Sequence, residues 1–527
     1  MLLLILLLYF LYAKQYQGPK VSLDYATYKG TKVGNGVDQY LGMRYAAPPV
    51  GDLRWRAPRD PPKVKGVQKA QRWGPICYGM NHGLPGHEDE DCLHVNVWAP
   101  SGANEKSKLP VWVYIQGGGY TANSNHDYKG TSAIEESGGN LVFVNFNYRV
   151  GLWGFLADER VREDGDLNVG LLDQRHLLRW VKKHISKFGG DPDHVVIHGV
   201  SAGAGSVALH LAAYGGRDDN LFVGAVAQSI FFPAHPRVDE LRYQFNATLD
   251  RLGCEDADNP MACLRGLSKE SLQQEGNQGQ PFPGRSSGSR WYWTPCVDGD
   301  IMEDTPSAMF GSGKFITVPV MLGTTTDEGS IFSANAASSE AFTSFMQDNY
   351  PGLSDDDVEA MLKYYPKEEP VPRHLSWFPT TSRAYGEATF ICPANLVLDS
   401  FDAAGSPDRA WSYRYNVWDA DQQASGRGVE HTFDRAAIHG PDCTPGSPRS
   451  YSSYNAPMVP LMMNYYISFV RALDPNVHRL DGAPEWGTWK GGSRLRLELN
   501  ASKMEVTDKG QRERCAFWGG LAGRMEN

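Results

Sequence analysis

The chain has 527 residues, 41% hydrophobic, 21% charged and 11% aromatic: an ordinary globular composition, long enough for one large domain or two to four smaller ones. A formal net charge of -10 argues against a nucleic-acid partner. With 56 glycines and 33 prolines the chain reads as loop-rich rather than as a helical bundle, and it carries no internal repeat.

The first element is the apolar run over residues 2–13 in "MLLLILLLYFLYAKQ". It has the length of a signal peptide and is too short to cross a bilayer comfortably, so no stable membrane span is expected. Leu11 and Ala13 fit a small-residue cleavage pattern, which predicts a signal peptide at 1–13 and a single domain from Lys14 to residue 527. No Lys or Arg precedes the run, which keeps an uncleaved anchor as the second reading. Eight cysteines and the sequons Asn246-Ala247-Thr248 and Asn500-Ala501-Ser502 agree with export, to the medium, the cell wall or a secretory lumen.

Strand-like runs then recur: "LHVNVWAP" from Leu93, "VWVYIQGG" from Val111, "LVFVNFNY" from Leu141, "HVVIHG" from His194 and "LFVGAVAQS" from Leu221. "VPVMLGT" from Val318, "AWSYRYNVW" from Ala410 and "LRLEL" from Leu495 follow. Several lack strict alternation, as strands buried on both faces do. Helix-period segments lie between them, from Val169, Ala204 and Ala456. The interleaving predicts an α/β fold with a mostly parallel central sheet. The stretches 229–318 and 324–410 show no strand pattern of their own and read as capping insertions.

Two glycine-rich junctions stand out. Gly117-Gly118-Gly119 follows a strand directly; it is either a flexible loop or a place where backbone amides approach a substrate without side chains in the way. Gly199-Val200-Ser201-Ala202-Gly203 follows a strand and opens a helix. A serine between glycines is an ordinary turn. The strand-turn-helix context is that of a G-x-S-x-G nucleophile elbow, with Ala202's amide at a helix start pointing toward an oxyanion.

These junctions, with "EDCLHVNVWAP" around Cys92, "YLGMRYAAPPVGDLRWRAP" from Tyr40, "VGLLDQR" from Val169, "TTTDEGSIF" from Thr324 and "FICPANL" from Phe390, resemble the type-B carboxylesterase family of the α/β-hydrolase fold. That family includes the cholinesterases, and the overall pattern is similar to its fungal members. The resemblance implies a serine carboxylic-ester hydrolase with Ser201 as nucleophile, Glu328 of Asp327-Glu328-Gly329 as orienting acid, and His431 of "GVEHTFDRAAIHG" as base. Gly118, Gly119 and Ala202 become the oxyanion hole. Asp327 is then a bystander, His439 local structure and His198 a buried strand residue. Ser229 is either an outer support of the triad or a plain strand-end serine. The family's disulfides carry over as Cys77–Cys92, Cys254–Cys263 and Cys392–Cys515; Cys296 and Cys443 remain, paired or as thiols. The partner implied is a small-molecule ester. No metal or cofactor is called for, since neither a P-loop nor clustered zinc-ligand spacing is present.

Two departures bear on substrate. Val200 stands where many relatives carry glutamate, and the short segment "CYGMNHGLPGHEDEDC" lacks both a tryptophan and an apolar lid face. The expectation is hydrolysis of neutral, short-to-medium esters without choline preference or interfacial activation. Two alternatives stand beside it: a dedicated esterase of a fungal secondary-metabolite pathway, and a non-catalytic adhesion protein, against which the presence of all three triad residues speaks.

Overall fold

The computed structural model describes residues 18–34, 36–80, 87–122, 128–285, 287–444 and 446–527. The N-terminal run at 2–13 and residues 81–86 of the Cys77–Cys92 segment lie outside them. The central sheet is built from β1 (Thr31–Val33), β2 (Val37–Arg44), β3 (His94–Pro100), β4 (Leu109–Ile115), β5 (Val142–Phe146), β6 (Gly190–Val200), β7 (Gly224–Gln228), β8 (Val320–Thr325), β9 (Ala410–Tyr415), β10 (Ser493–Leu497) and β11 (Lys503–Val506). Their spatial order is β1-β2-β3-β5-β4-β6-β7-β8-β9-β10-β11. Pairing is parallel from β5 through β10 and antiparallel at both ends. Among the described residues no named strand lies between β7 and β8 or between β8 and β9; helices and loops fill those insertions.

Successive side chains of the central strands feed two different layers. Val111, Val113 and Ile115 of β4 join one buried cluster, whereas Trp112 and Tyr114 join the other. Both faces are covered, so these strands need no polar alternation. With α1 (Val169–His184), α2 (Ala202–Gly216), α3 (Cys392–Ala403), α4 (Met458–Ala472) and α5 (Lys509–Met525) in chain order, the first layer is roofed by α1, α2, α3 and α5 and the second mainly by α4. α1 ends with Lys182 and Lys183, cations suited to a helix C-terminus. Its Asp173 accepts Nε and Nη2 of Arg149, at 2.8 and 2.7 Å, in a buried pair that fastens the loop after β5. Breaking such a pair by removing one partner strands a buried charge.

Three disulfides join Cys77 to Cys92, Cys254 to Cys263, and Cys392 to Cys515. The last ties α3 to α5. Cys296 and Cys443 are free and buried. Cys443 Sγ faces Ser132 Oγ at 3.0 Å, and burial pushes the Cys296 thiol up. No helix among the described residues is long and apolar enough to cross a membrane. Both sequon asparagines are exposed: Asn246 on the helix Arg242–Leu252, where its Oδ1 accepts from Arg160 at 2.7 Å, and Asn500 in a turn.

Candidate active site

The parallel strands β4, β6, β7, β8 and β9 end on one edge, where ligands of open α/β sheets bind. After β4 comes Gly117–Gly119; after β6, Ser201; after β8, Glu328; beyond β9, the segment carrying His431. Ser201 sits at φ 56°, ψ -124°, a positive-φ conformation unusual for a residue with a side chain. Its amide donates to Gln228's carbonyl at 2.9 Å. The flanking glycines are there for contact: a Cβ on Gly203 would lie 2.1 Å from Ile115's carbonyl oxygen.

The glycine loop runs against this turn. A Cβ on Gly117 would stand 2.6 Å from Val200's carbonyl oxygen and 2.9 Å from Ser201 Cβ. The Gly118 and Gly119 amides donate to no other group among the described residues, and Ala202's amide is one of the unpaired donors at the start of α2. Among the described residues, then, no partner is seen for three N–H groups beside one serine.

Glu328 is wholly buried and His431 nearly so. Thr325's amide donates to Glu328 Oε1 at 2.7 Å, and His431 Nδ1 pairs with Glu328 Oε2. A proton held on Nδ1 leaves Nε2 as the basic nitrogen of the neutral ring. That nitrogen is buried and has no partner among the described residues.

Asp327 has another task. Its Oδ2 accepts from Val429's amide at 2.8 Å, and its own amide donates to Val429's carbonyl at 3.0 Å. It latches the acid turn to the histidine segment. Burial raises its carboxyl above the usual range, with Glu328 adding to the rise, against the Val429 hydrogen bond and the Arg383 and Arg414 charges.

His439 and His198 lie on the other face of the sheet, stacked at 5.5 Å and 8° among Trp112, Tyr114 and Tyr466. Trp112 Nε1 donates to His198 Nδ1 at 3.1 Å. Burial lowers both imidazoles, His198 to about 3. Val200 is buried in that same apolar layer. Ser229, at φ 55°, keeps a buried hydroxyl with no partner among the described residues.

Two groups of residues went unremarked in the sequence. The first is aromatic. Trp291 lies over the glycine loop, so that a Cβ on Gly119 would fall 2.0 Å from its ring, and its Nε1 donates to Tyr385's hydroxyl at 2.7 Å. Phe231 and Phe332 flank it at 5.1 and 5.4 Å. Phe332 and Phe390 continue to the His431 ring at 4.9 and 4.6 Å. An apolar wall thus runs from the glycine loop to the histidine. The second is Asp434, fully buried three residues after His431. It accepts from Gln228 Nε2 at 2.6 Å and Tyr413's hydroxyl at 2.5 Å. No local motif marks either group. Among the described residues no cluster of three or more His, Cys, Asp or Glu is placed to hold a metal ion.

A strained serine beside free amides and a buried carboxylate-histidine pair, on the C-terminal edge of such a sheet, define an α/β hydrolase. The match to the carboxylesterase family extends over residues 17–518, and the chain belongs to that family. It is a carboxylic ester hydrolase. It is 29% identical over 504 residues to "Secreted lipase 4" of Gibberella zeae, covering 92% of this chain and 88% of that protein. It is 31% identical over 514 residues to "Secreted lipase 1" of Botryotinia fuckeliana, with 89% and 87% covered. The crystal structure of Aspergillus niger EstA is similar at a TM-score of 0.95 and 49% identity, over 97% of this chain and 99% of that one.

Burial pushes Asp434 up from 3.8 to about 6, and nearby Glu328 adds to the rise, against the Tyr413 and Gln228 hydrogen bonds. The folded state therefore holds this proton more tightly than the unfolded chain. The stability so gained is complete below the ordinary value and is lost as pH rises through about 6, a change on the order of 2–3 kcal/mol. Melting curves of the wild type and Asp434→Asn between pH 4 and 7 test this. The wild type should lose stability relative to the variant as pH rises, whereas parallel curves would refute the assignment.

Proposed function

We propose that this chain is a secreted serine carboxylesterase that cleaves neutral, short-to-medium esters through Ser201, His431 and Glu328, with the Gly118, Gly119 and Ala202 amides as the oxyanion hole. The observation that carries the reading is the buried Glu328–His431 pair, which leaves Nε2 without a partner among the described residues, at the strand edge that also presents Ser201. Nε2 takes the Ser201 proton as Oγ attacks the ester carbonyl. Charge developing on the carbonyl oxygen is met by donors already in place, so no solvent need reorganise. The imidazolium, steadied by Glu328, then protonates the departing alcohol; in the second half it deprotonates the water that opens the acyl-enzyme.

The aromatic wall supports the size limit. Trp291, pinned by Tyr385, stands against the glycine loop where an acyl chain would extend from Ser201. The reading of neutral substrates rests on the sequence, where Val200 stands in place of the glutamate that many relatives carry. Secretion, cleavage before Lys14, a single domain from there onward and glycans at Asn246 and Asn500 follow from the N-terminal run, the exposed sequons and the disulfides. Relatives named as secreted lipases support export and bring in a second reading, action on long-chain lipid esters.

Comparing p-nitrophenyl butyrate, emulsified triolein and butyrylthiocholine separates the readings. The butyrate ester should be preferred, with no rate jump above triolein's solubility limit and no choline preference; either effect would overturn the substrate assignment. Ser201→Ala should abolish turnover, and His431→Ala and Glu328→Ala should lower kcat by about 10³–10⁴-fold, while His439→Ala keeps most activity. Trp291→Ala should raise kcat/KM on octanoate relative to butyrate esters by about tenfold.

A further inference from the structure

Gly117, Gly118 and Gly119 carry no side chains, so whatever aims the Gly118 and Gly119 amides must act on the backbone of the loop. Both of its ends are fastened. Before the glycines, Gln116's carbonyl accepts from Tyr148's hydroxyl at 2.9 Å, and its Nε2 donates to Phe146's carbonyl and to Asn147 Oδ1, each at 3.1 Å. After them, Tyr120's carbonyl accepts from Gly151's amide at 2.8 Å, and Thr121's carbonyl accepts from Met80's amide at 2.7 Å.

Between these anchors the chain makes a tight left-handed turn, with Gly119 and Tyr120 both at φ 61°. A tyrosine is strained in that conformation, and such a turn persists only where its surroundings hold it. The turn closes on one atom. Gly118's carbonyl oxygen accepts from the amides of Thr121 and Ala122, both at 3.0 Å, and from Thr121 Oγ1 at 3.1 Å.

That atom also decides where an amide points. In a trans peptide the C=O and the following N–H share a plane and point in opposite directions. Gly118's carbonyl and Gly119's N–H belong to the same peptide, and it is not cis. Three donors that hold the oxygen on one side therefore hold the N–H on the other, where it meets no acceptor among the described residues. A peptide between two glycines could otherwise rotate at little steric cost. Among the described residues, Thr121 Oγ1 is the side-chain group that grips it.

We propose that Thr121 is a positioning residue of the oxyanion hole: its hydroxyl and amide, together on Gly118's carbonyl oxygen, keep the Gly118–Gly119 peptide turned so that Gly119's N–H faces the reacting carbonyl. This rests on the reading of Ser201 and its oxyanion donors given above. Without the hydroxyl the peptide spends part of its time rotated away, which weakens binding of the transition state but not of the ester.

The test uses Thr121→Val, which keeps the shape and loses the hydroxyl, and Thr121→Ser, which keeps the hydroxyl, each shown to be folded by thermal melting. Steady-state kinetics on p-nitrophenyl butyrate are combined with inhibition by an alkyl trifluoromethyl ketone, whose hemiketal oxyanion needs the hole, and by the matching methyl ketone, which binds as a ground state. Thr121→Val should lower kcat and trifluoromethyl ketone affinity together by about fivefold, the size of one modest hydrogen bond, with KM and methyl ketone affinity nearly unchanged. Thr121→Ser should stay within about twofold of the wild type in both. Wild-type kcat and trifluoromethyl ketone affinity in Thr121→Val, equal losses for the two ketones, or a Thr121→Ser as impaired as Thr121→Val would overturn the proposal. Ser201→Ala that still turned over the ester, or a wild type that bound the two ketones alike, would instead overturn the underlying reading of the site, whatever Thr121→Val does.

Discussion

Strands β4 and β6 lie side by side in parallel, and beyond their last pair, Gly199 with Ile115, their backbones run against each other where no side chain fits. Gly203 meets Ile115's carbonyl, and Gly117 meets the carbonyl of Val200. Any residue larger than glycine at either place would force the two segments apart. That approach brings the glycine loop beside Ser201 and the start of α2. The strained backbone at Ser201 persists because the strand before it, the helix after it and Gln228's carbonyl all hold it in place.

The opposite side of the site is organised by buried carboxylates rather than by close backbones. Glu328, Asp327 and Asp434 lie around the segment that carries His431, and each has its own donors. Glu328 takes Thr325's amide and the imidazole, Asp327 takes Val429's amide, and Asp434 takes Gln228 and Tyr413. Like charges buried together are costly unless each is hydrogen-bonded. Satisfying them separately clamps the segment before and after His431, so the imidazole has little freedom to turn. The Phe332 and Phe390 rings close its remaining sides.

Much of this was legible in the sequence because it depends on local rules. The glycines at 117–119, 199 and 203, the double-sided apolar strands and the helix periods each report a backbone requirement at their own position. The antiparallel strands Thr31–Val33, Val37–Arg44 and Lys503–Val506 were not legible, being short or only partly buried. Asp327 reads from sequence as a bystander next to Glu328, because its partner Val429 is about a hundred residues away along the chain. Trp291 and Asp434 were invisible for the same reason. Their meaning lies in contacts with Gly119 and Gln228 across large sequence separations, and a lone Trp or Asp carries no local pattern. The cysteines occupied a middle ground, since pairing came from resemblance to a family and not from spacing.

The central claim is that one serine, on this turn and served by one histidine, does the chemistry. The most direct measurement is peptide mapping after reaction with a fluorophosphonate, in the wild type and in His431→Ala. The account predicts a single adduct per chain, on Ser201, formed rapidly in the wild type and at a small fraction of that rate in the variant. An adduct on another serine, or labelling of Ser201 that is indifferent to His431, would contradict it.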